Sequence, residues 1–278
     1  MKRLAAFLTL FTILTPLAFS ASPADNRNDI VFLSDFGLQD DAVSQCKAAI
    51  YNVFPQARVT DMTHNIAPYN TAIASFLLAD AAKMWPSGTV FLAVVDPGVG
   101  SSRKAVALRT KTGHFFVGPD NGLIYPAASA DNLLEAAEVP ISGRVSPTFH
   151  GRDVMAPAAA AIDLSKKISS FNRLSGIQGL DLISCSDQGM IVKVDRFGNL
   201  VTNIACAGAP AACVVASNGD AATLPFYATY EAARPATPFL IKGSSGMYEI
   251  SVKADRAAKF FPAFRPGAPI RVTPADRC

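Results

Sequence analysis

The chain has 278 residues, with 25 Lys and Arg against 22 Asp and Glu and a formal net charge of +3. Half of it is hydrophobic and only 17% is charged, which excludes a disordered chain. The basic residues form no stripe, which argues against a nucleic-acid partner, and the length suffices for one large domain or two modest ones.

Lys2 and Arg3 precede an apolar run from Leu4 to Phe19, broken only by Thr9, Thr12, Thr15 and Pro16. The run is short for a membrane span, and Ala18 and Ser20 supply the small side chains that a signal peptidase reads. Residues 1–20 are therefore expected to be a secretory signal peptide, cleaved after Ser20. Cleavage removes two basic residues and no acidic ones, leaving a nearly neutral mature chain, periplasmic or secreted, with no membrane attachment. In an oxidising compartment, Cys206 and Cys213, which bracket a small-residue loop, are expected to form a disulfide. Cys185 with Cys278 is a second candidate pair, although connectivity is not fixed by sequence. Cys46 falls in an amphipathic helical pattern and reads as a buried free thiol. No Cys-x-x-Cys spacing or Cys/His cluster suggests a metal.

From Asp29 onward, apolar strands alternate with helical patterns. Ile30 to Phe32 reads as a strand, Asp41 to Phe54 as a helix capped by Asp40, and Arg58 to Met62 as a second strand. Thr71 to Trp85 reads as a helix stopped by Pro86, and Thr89 to Val95 as a buried strand ending in a Pro/Gly turn. This alternation predicts right-handed crossovers and a mainly parallel sheet flanked by helices. Ala105 to Gly118 reads as a hairpin turning at Thr112-Gly113, and Arg152 to Leu164 as an alanine-rich helix. The larger α/β domain is thus expected over 29–164 and a linker over 165–189. Six short strands in 190–278 predict a smaller β-barrel or sandwich: Met190–Val194, Leu200–Ile204, Cys213–Ala216, Phe239–Lys242, Tyr248–Val252 and Pro269–Val272.

In a parallel sheet, ligands collect at the carboxyl ends of the strands, and polar residues converge there. Asp35, in Ser34-Asp35-Phe36-Gly37, is placed to accept hydrogen bonds from vicinal hydroxyls; a helix-capping turn is the plainer alternative. The Asp-Phe-Gly of protein kinases occurs here with no Gly-rich loop or His-Arg-Asp around it. Asp96-Pro97-Gly98-Val99-Gly100-Ser101-Ser102-Arg103 follows the strongest strand, and its glycines allow close backbone approach to a ligand. It lacks the Lys-Ser/Thr ending of a phosphate-binding loop. His150, one of only three histidines, opens a helix where it can titrate or orient water. Asp195-Arg196-Phe197-Gly198-Asn199 offers an aromatic ring for stacking and an amide for base edges, or is a plain bulged hairpin.

Taken in order, Ser34-Asp35-Phe36-Gly37, Asp61-Met62-Thr63-His64, Val95-Asp96-Pro97-Gly98-Val99-Gly100, Pro119-Asp120-Asn121-Gly122, Thr148-Phe149-His150-Gly151-Arg152-Asp153 and Asp195-Arg196-Phe197-Gly198-Asn199 resemble the S-adenosylmethionine hydroxide adenosyltransferase family, related to the fluorinating and chlorinating enzymes. The resemblance runs from about Asp29 to Val272. It implies a homotrimer, with S-adenosyl-L-methionine bound between the larger domain of one subunit and the smaller domain of the next. By resemblance, Asp35 holds the ribose hydroxyls and Tyr69 forms an aromatic wall. Asp195 and Ser244 contact the methionine end, Phe197 stacks, and Asn199 and the backbone of Ala254 contact adenine. The run from Ser244 and Ser245 to Glu249 resembles a further substrate loop, and Asp96, Arg103 and His150 match the trio that marks hydrolytic members.

Where halogenases hold halide with Tyr, Thr and Ser, this chain has Asp96, Val99 and Gly151, so water is the favoured nucleophile. Gly243 and Tyr248 depart from the Asn and Leu usual among relatives. The implied reaction is attack of water on C5′, with His150 and Asp96 orienting it and sharing its proton and Arg103 favouring negative charge on oxygen. The products are adenosine and L-methionine, and no cofactor is needed. The alternatives are an exported adenosyl-compound binding protein without turnover and a halide-using relative.

Overall fold

In a computed structural model of the chain, the structure describes residues 29–179, 186–205, 212–217 and 219–274. Residues 1–20, Cys185, Cys206 and Cys278 lie outside the described residues, and with them the expected leader and both expected disulfides. No helix among the described residues is long and apolar enough to cross a membrane.

The first part contains β1 (Asp29–Ser34), α1 (Ala42–Val53), β2 (Arg58–Thr63), α2 (Thr71–Ala82), β3 (Val90–Val94), β4 (Ala105–Thr110), β5 (Phe115–Pro119), α3 (Tyr125–Ala130), β6 (Leu133–Val139), α4 (Ala156–Ser165) and β7 (Asn172–Arg173). They form one sheet in the order β2-β1-β3-β5-β4-β6-β7. The ladders from β2 to β5 are parallel and those from β5 to β7 antiparallel. Successive side chains on a strand face opposite sides, so a strand covered on both faces must be apolar throughout. β1 obeys this: Ile30 and Phe32 pack with α1 and α4, whereas Val31 and Leu33 pack with α2 and α3.

Three details depart from the expectation. α2 ends at Ala82 rather than Trp85, because the residue before Pro86 is driven out of helical geometry. The helix expected from Arg152 begins instead as a π-helical turn over Gly151–Met155, where the Ala156 N–H reaches back five residues to the Gly151 carbonyl. Pro157, next in line, has no N–H to give. Asn172–Arg173, expected in the linker, adds an edge strand to β6.

The second part contains β8 (Gln188–Val194), β9 (Leu200–Thr202), β10 (Ala212–Ser217), β11 (Asp220–Pro225), β12 (Pro238–Lys242), β13 (Tyr248–Val252) and β14 (Pro269–Pro274). Their order is β11-β10-β14-β8-β9-β13-β12, all antiparallel. A bridge from Phe226 to Leu240 brings the two edge strands together, so the sheet is nearly closed into a barrel around Ile191, Leu200, Leu240, Ile250 and Phe264. β11 was not foreseen; its polar, small-residue sequence is recruited by its ladder with β10. The two parts touch where Phe76 of α2 packs against Val192, Val201 and Met247.

Candidate active site

β1 and β3 run parallel and end side by side, which delivers Asp35 and Asp96 to the same edge of the sheet. After Asp96 the chain makes two tight turns, in which the Val99 N–H donates to the Asp96 carbonyl (3.3 Å) and the Ser101 N–H to that of Gly98 (3.1 Å). The Ser101 hydroxyl holds the second turn by donating to the Gly98 carbonyl (2.7 Å) and accepting from the Arg103 N–H (3.2 Å). Gly100 sits at φ +78°, where a Cβ would lie 2.5 Å from the Pro147 carbonyl oxygen. The loop thereby folds Arg103 back over Asp96.

Arg103 Nε donates to Asp96 Oδ1 at 2.8 Å and Nη2 donates to Oδ2, a two-pronged pair with both side chains at most 10% exposed. The same Nη2 lies 3.1 Å from His150 Nδ1. A guanidinium only donates, so Nδ1 must accept. The imidazole is therefore neutral and carries its proton on Nε2. Burial, and then the Arg103 charge, lower the His150 pKa below the ordinary imidazole value, against opposing contributions from Asp96 and Asp153. The sharing of a water proton between Asp96 and His150 narrows accordingly: the ring's one lone pair is already engaged, and His150 is left as a donor.

The segment carrying His150 is braced from outside. Arg152 clasps Asp153 (2.5 and 2.9 Å), donates to Gln45 Oε1 on α1 (2.7 Å) and covers the Phe149 ring. Asp153 in turn accepts from the Ser146 N–H at 2.8 Å. Gly151 is needed at close quarters, since a Cβ there would press on Val94 (3.1 Å) and Phe36 (3.3 Å).

Asp35, Tyr69, Asp96, Val99, His150 and Gly151 line one cavity of about 310 Å³. Asp35 Oδ2 accepts the Tyr69 N–H at 2.8 Å. Tyr69 is held in the left-handed region at φ 65°, with its ring 72% exposed at the rim. Such strain in a non-glycine residue concentrates at functional positions.

The remaining expected residues gather elsewhere. Asp195, Phe197, Asn199, Ser244 and Ala254 line a second, open cavity of about 1040 Å³ on the smaller domain, which shares no lining residue with the first. Asn199 donates its backbone N–H and its Nδ2 to the two oxygens of Asp195, each at 2.9 Å. Phe197 stands 75% exposed. Ser245 does not line this cavity; its hydroxyl is buried without a hydrogen-bond partner among the described residues. One chain thus brings Asp35, Tyr69, Asp96, Arg103 and His150 together, and separately Asp195, Phe197, Asn199, Ser244 and Ala254.

Sequence reasoning assigned no role to two residues of the second cavity. Tyr230 receives a hydrogen bond from Asn199 Nδ2 and donates one to Glu249 Oε2, both at 3.3 Å. Burial raises the Glu249 carboxyl above the usual carboxylate range, and the nearby Asp195 charge adds to it. Tyr230 stands in no motif, and Glu249 was only the end of a quoted run. No group of His, Cys, Asp and Glu among the described residues is arranged to hold a metal ion.

An α/β domain with a carboxylate–guanidinium–imidazole trio at its strand ends, followed by a small antiparallel barrel, defines a two-domain protein with a cavity on each part. Residues 30–172 match the SAM hydroxide adenosyltransferase N-terminal domain and residues 189–271 its C-terminal domain, and the chain belongs to that family. It is 33% identical to a protein of Thermus thermophilus named (R)-S-adenosyl-L-methionine hydrolase, over 87% of this chain and 98% of that one. A fluorinase of an Actinoplanes species is 26% identical over 66% of this chain and 73% of its own. An uncharacterized conserved protein from Thermotoga maritima has a similar solved structure, with a TM-score of 0.80 and 31% identity over 87% of this chain and 99% of that one.

Gly100→Ala tests the loop that returns Arg103 to Asp96. Left-handed backbone costs a Cβ-bearing residue roughly 1–2 kcal/mol, and the clash with Pro147 adds to it. The variant is expected to unfold at lower temperature and to lose activity beyond what its remaining folded fraction explains, as read by thermal denaturation alongside turnover.

Proposed function

We propose that the chain hydrolyses S-adenosyl-L-methionine to adenosine and L-methionine. The observation that carries this reading is the Asp96–Arg103–His150 trio: Asp96 and His150 stand on the wall of a cavity with Asp35 and Tyr69, and Arg103 holds both from behind that wall. Methionine leaves as a neutral thioether, so the leaving group needs no proton, and the difficulty lies in water as a nucleophile. His150 Nε2–H donates to one lone pair of that water and directs the other at C5′. Asp96, gripped by Arg103 through one lone pair of each oxygen, retains the others to accept the water's proton. As the O–C5′ bond forms, the C5′–S bond breaks, its electron pair returns to sulfur, and the proton passes to Asp96 and on to solvent. Asp35 takes the ribose hydroxyls against Tyr69. Asp195, Ser244 and the stacking Phe197 hold the rest, with Asn199 and the Ala254 backbone at adenine. The carboxylate in the nucleophile position disfavours halide.

General-base assistance is worth about 10²–10⁴-fold. Asp96→Asn is expected to lower kcat by that order while KM changes by less than about threefold, since the lost interaction belongs to the transition state. In water enriched in heavy oxygen, the label should enter the 5′ hydroxyl of adenosine, as read by mass spectrometry. Formation of a 5′-halo-nucleoside, or binding without turnover, overturns the proposal.

The neutral imidazole gives a pH signature. Because the His150 pKa is lowered in the folded protein, the competent form persists below the ordinary value of 6.5. Activity is then lost only as pH falls further, when the ring must protonate and give up Arg103. His150→Gln, which retains a side-chain N–H donor but does not titrate, is expected to be slower yet to lack this acid limb in kcat/KM.

We further propose that the two cavities meet between chains, the larger domain of one facing the smaller domain of the next in a trimer, since within one chain they share no lining. We also propose that the mature protein is exported without residues 1–20 and carries the Cys206–Cys213 disulfide in the periplasm or outside the cell. Sedimentation should give three chains per particle. Intact mass should give an N-terminus at Ala21 and two hydrogens fewer per bridge. A monomer that turns over substrate, or a retained leader, refutes the respective part.

A further inference from the structure

The motif Asp61-Met62-Thr63-His64 closes β2 next to the end of β1, and the proposed mechanism makes no use of it. Its histidine is 3% exposed and Ser34 is wholly buried. Ser34 Oγ lies 2.7 Å from His64 Nδ1, and His64 Nε2 lies 3.0 Å from Asp61 Oδ1, a close contact set off the ring's N–H axis. Asp61 Oδ2 accepts from Lys47 Nζ of α1 at 2.6 Å. Burial alone would raise the Asp61 carboxyl, but the hydrogen bond from Lys47 and the close His64 ring outweigh it and hold the group below its usual range.

Ser34 Oγ accepts the Phe36 N–H, and His64 Nδ1 is the partner within reach of its hydroxyl proton, which leaves the ring's own proton on Nε2, facing Asp61. Nδ1 is then an acceptor, and Ser34 must donate its hydroxyl proton to it. Every donor in the row therefore points toward Asp61. A Ser–His–Asp row invites a nucleophilic reading, but Ser34 has no access to solvent or cavity.

The row holds a turn instead. With its hydrogen committed to His64, Ser34 Oγ can only accept, and it receives the Phe36 N–H at 3.3 Å. The Gly37 N–H donates to the carbonyl of His64 itself at 2.7 Å. Gly37 sits at φ +71°, where the chain must bend back. Asp35 lies between these two anchors, with its carboxylate on the cavity wall and one oxygen tied to Tyr69. We propose that His64 is a positioning residue: through Ser34 it locks the 34–37 turn and so presents the Asp35 carboxylate to a vicinal diol of the bound nucleoside. This rests on the nucleoside reading of the site but not on its hydrolytic chemistry.

The test is equilibrium binding of adenosine and of 2′,3′-dideoxyadenosine to the full-length folded protein, together with S-adenosyl-L-methionine kinetics. His64→Leu removes the acceptor that Ser34 requires, whereas His64→Asn can return an oxygen to the Nδ1 position. One hydrogen bond is worth up to about tenfold in affinity. His64→Leu is therefore expected to weaken adenosine about tenfold and raise KM in step, with kcat changed less than about threefold. Dideoxyadenosine binding should be unaltered, and His64→Asn should restore most of the loss. In an Asp35→Ala background, His64→Leu should add nothing, because its effect runs through Asp35.

Equal weakening of both nucleosides, multiplying effects in the double variant, or a fall in melting temperature with adenosine affinity intact would each overturn the assignment. Should His64→Leu fail to fold, Ser34→Ala makes the same break with a smaller change. A wild-type protein that binds adenosine without hydrolysing the sulfonium refutes the catalytic proposal alone. Unchanged adenosine binding in the variants refutes this one alone, and a wild type that binds no adenosine refutes both.

Discussion

Arg103 can only donate, and where its donors go decides what each neighbour can do. Two of them fix Asp96 as an ionised acceptor, and one of these is shared with His150, which forces the imidazole into a single neutral tautomer. The pair is almost sealed from solvent, so its attraction is little screened, while removal of either partner strands a buried charge at a cost of about 3–5 kcal/mol. The long loop from Asp96 to Arg103, its left-handed Gly100 and the braced helix start at Gly151 all serve to close this one contact. Asp96 and Arg103 lie seven residues apart, and His150 is a further 47 on, so the trio exists only because β3, the loop and the π-helical turn meet.

The same economy governs the turn at Asp35. Its neighbours on either side in the chain are anchored to β2, and Asp35 itself is free to serve the cavity and Tyr69. The two carboxylates that line the first cavity are thus held by donors that leave part of each available. This is preorganisation in the physical sense: the polar groups are oriented before a ligand arrives and need not be reorganised during reaction.

Much of this was legible in the sequence. β1 and β3 announce themselves as short, uninterrupted apolar runs, because both their faces are covered. The ordered motifs carried the family together with Asp96 and His150, and Arg103 stood in the loop just past the third of them. Other features depend on tertiary context. Leu133–Val139 is built of Leu, Ala and Glu, good helix formers, and becomes β6 only because β4 offers a ladder. Asp220–Pro225 has little hydrophobic pattern and is recruited by β10. The tautomer of His150 follows from a contact made across the fold, and no residue pattern records it. Tyr230 and Glu249 meet only because β13 brings Glu249 beside the segment after β11.

The second cavity carries a related argument about charge. Gly243 leaves space that Glu249 fills: a Cβ there would lie 1.9 Å from Glu249 Oε1. Any side chain at this position would evict the carboxyl from the wall. Burial raises the Glu249 carboxyl, with the Asp195 charge adding to it and the Tyr230 hydrogen bond opposing it. A ligand bearing a cationic sulfonium and an ammonium reverses that balance, since each positive charge lowers the cost of ionising the buried acid. This links the glycine at 243 to the charge of the proposed substrate.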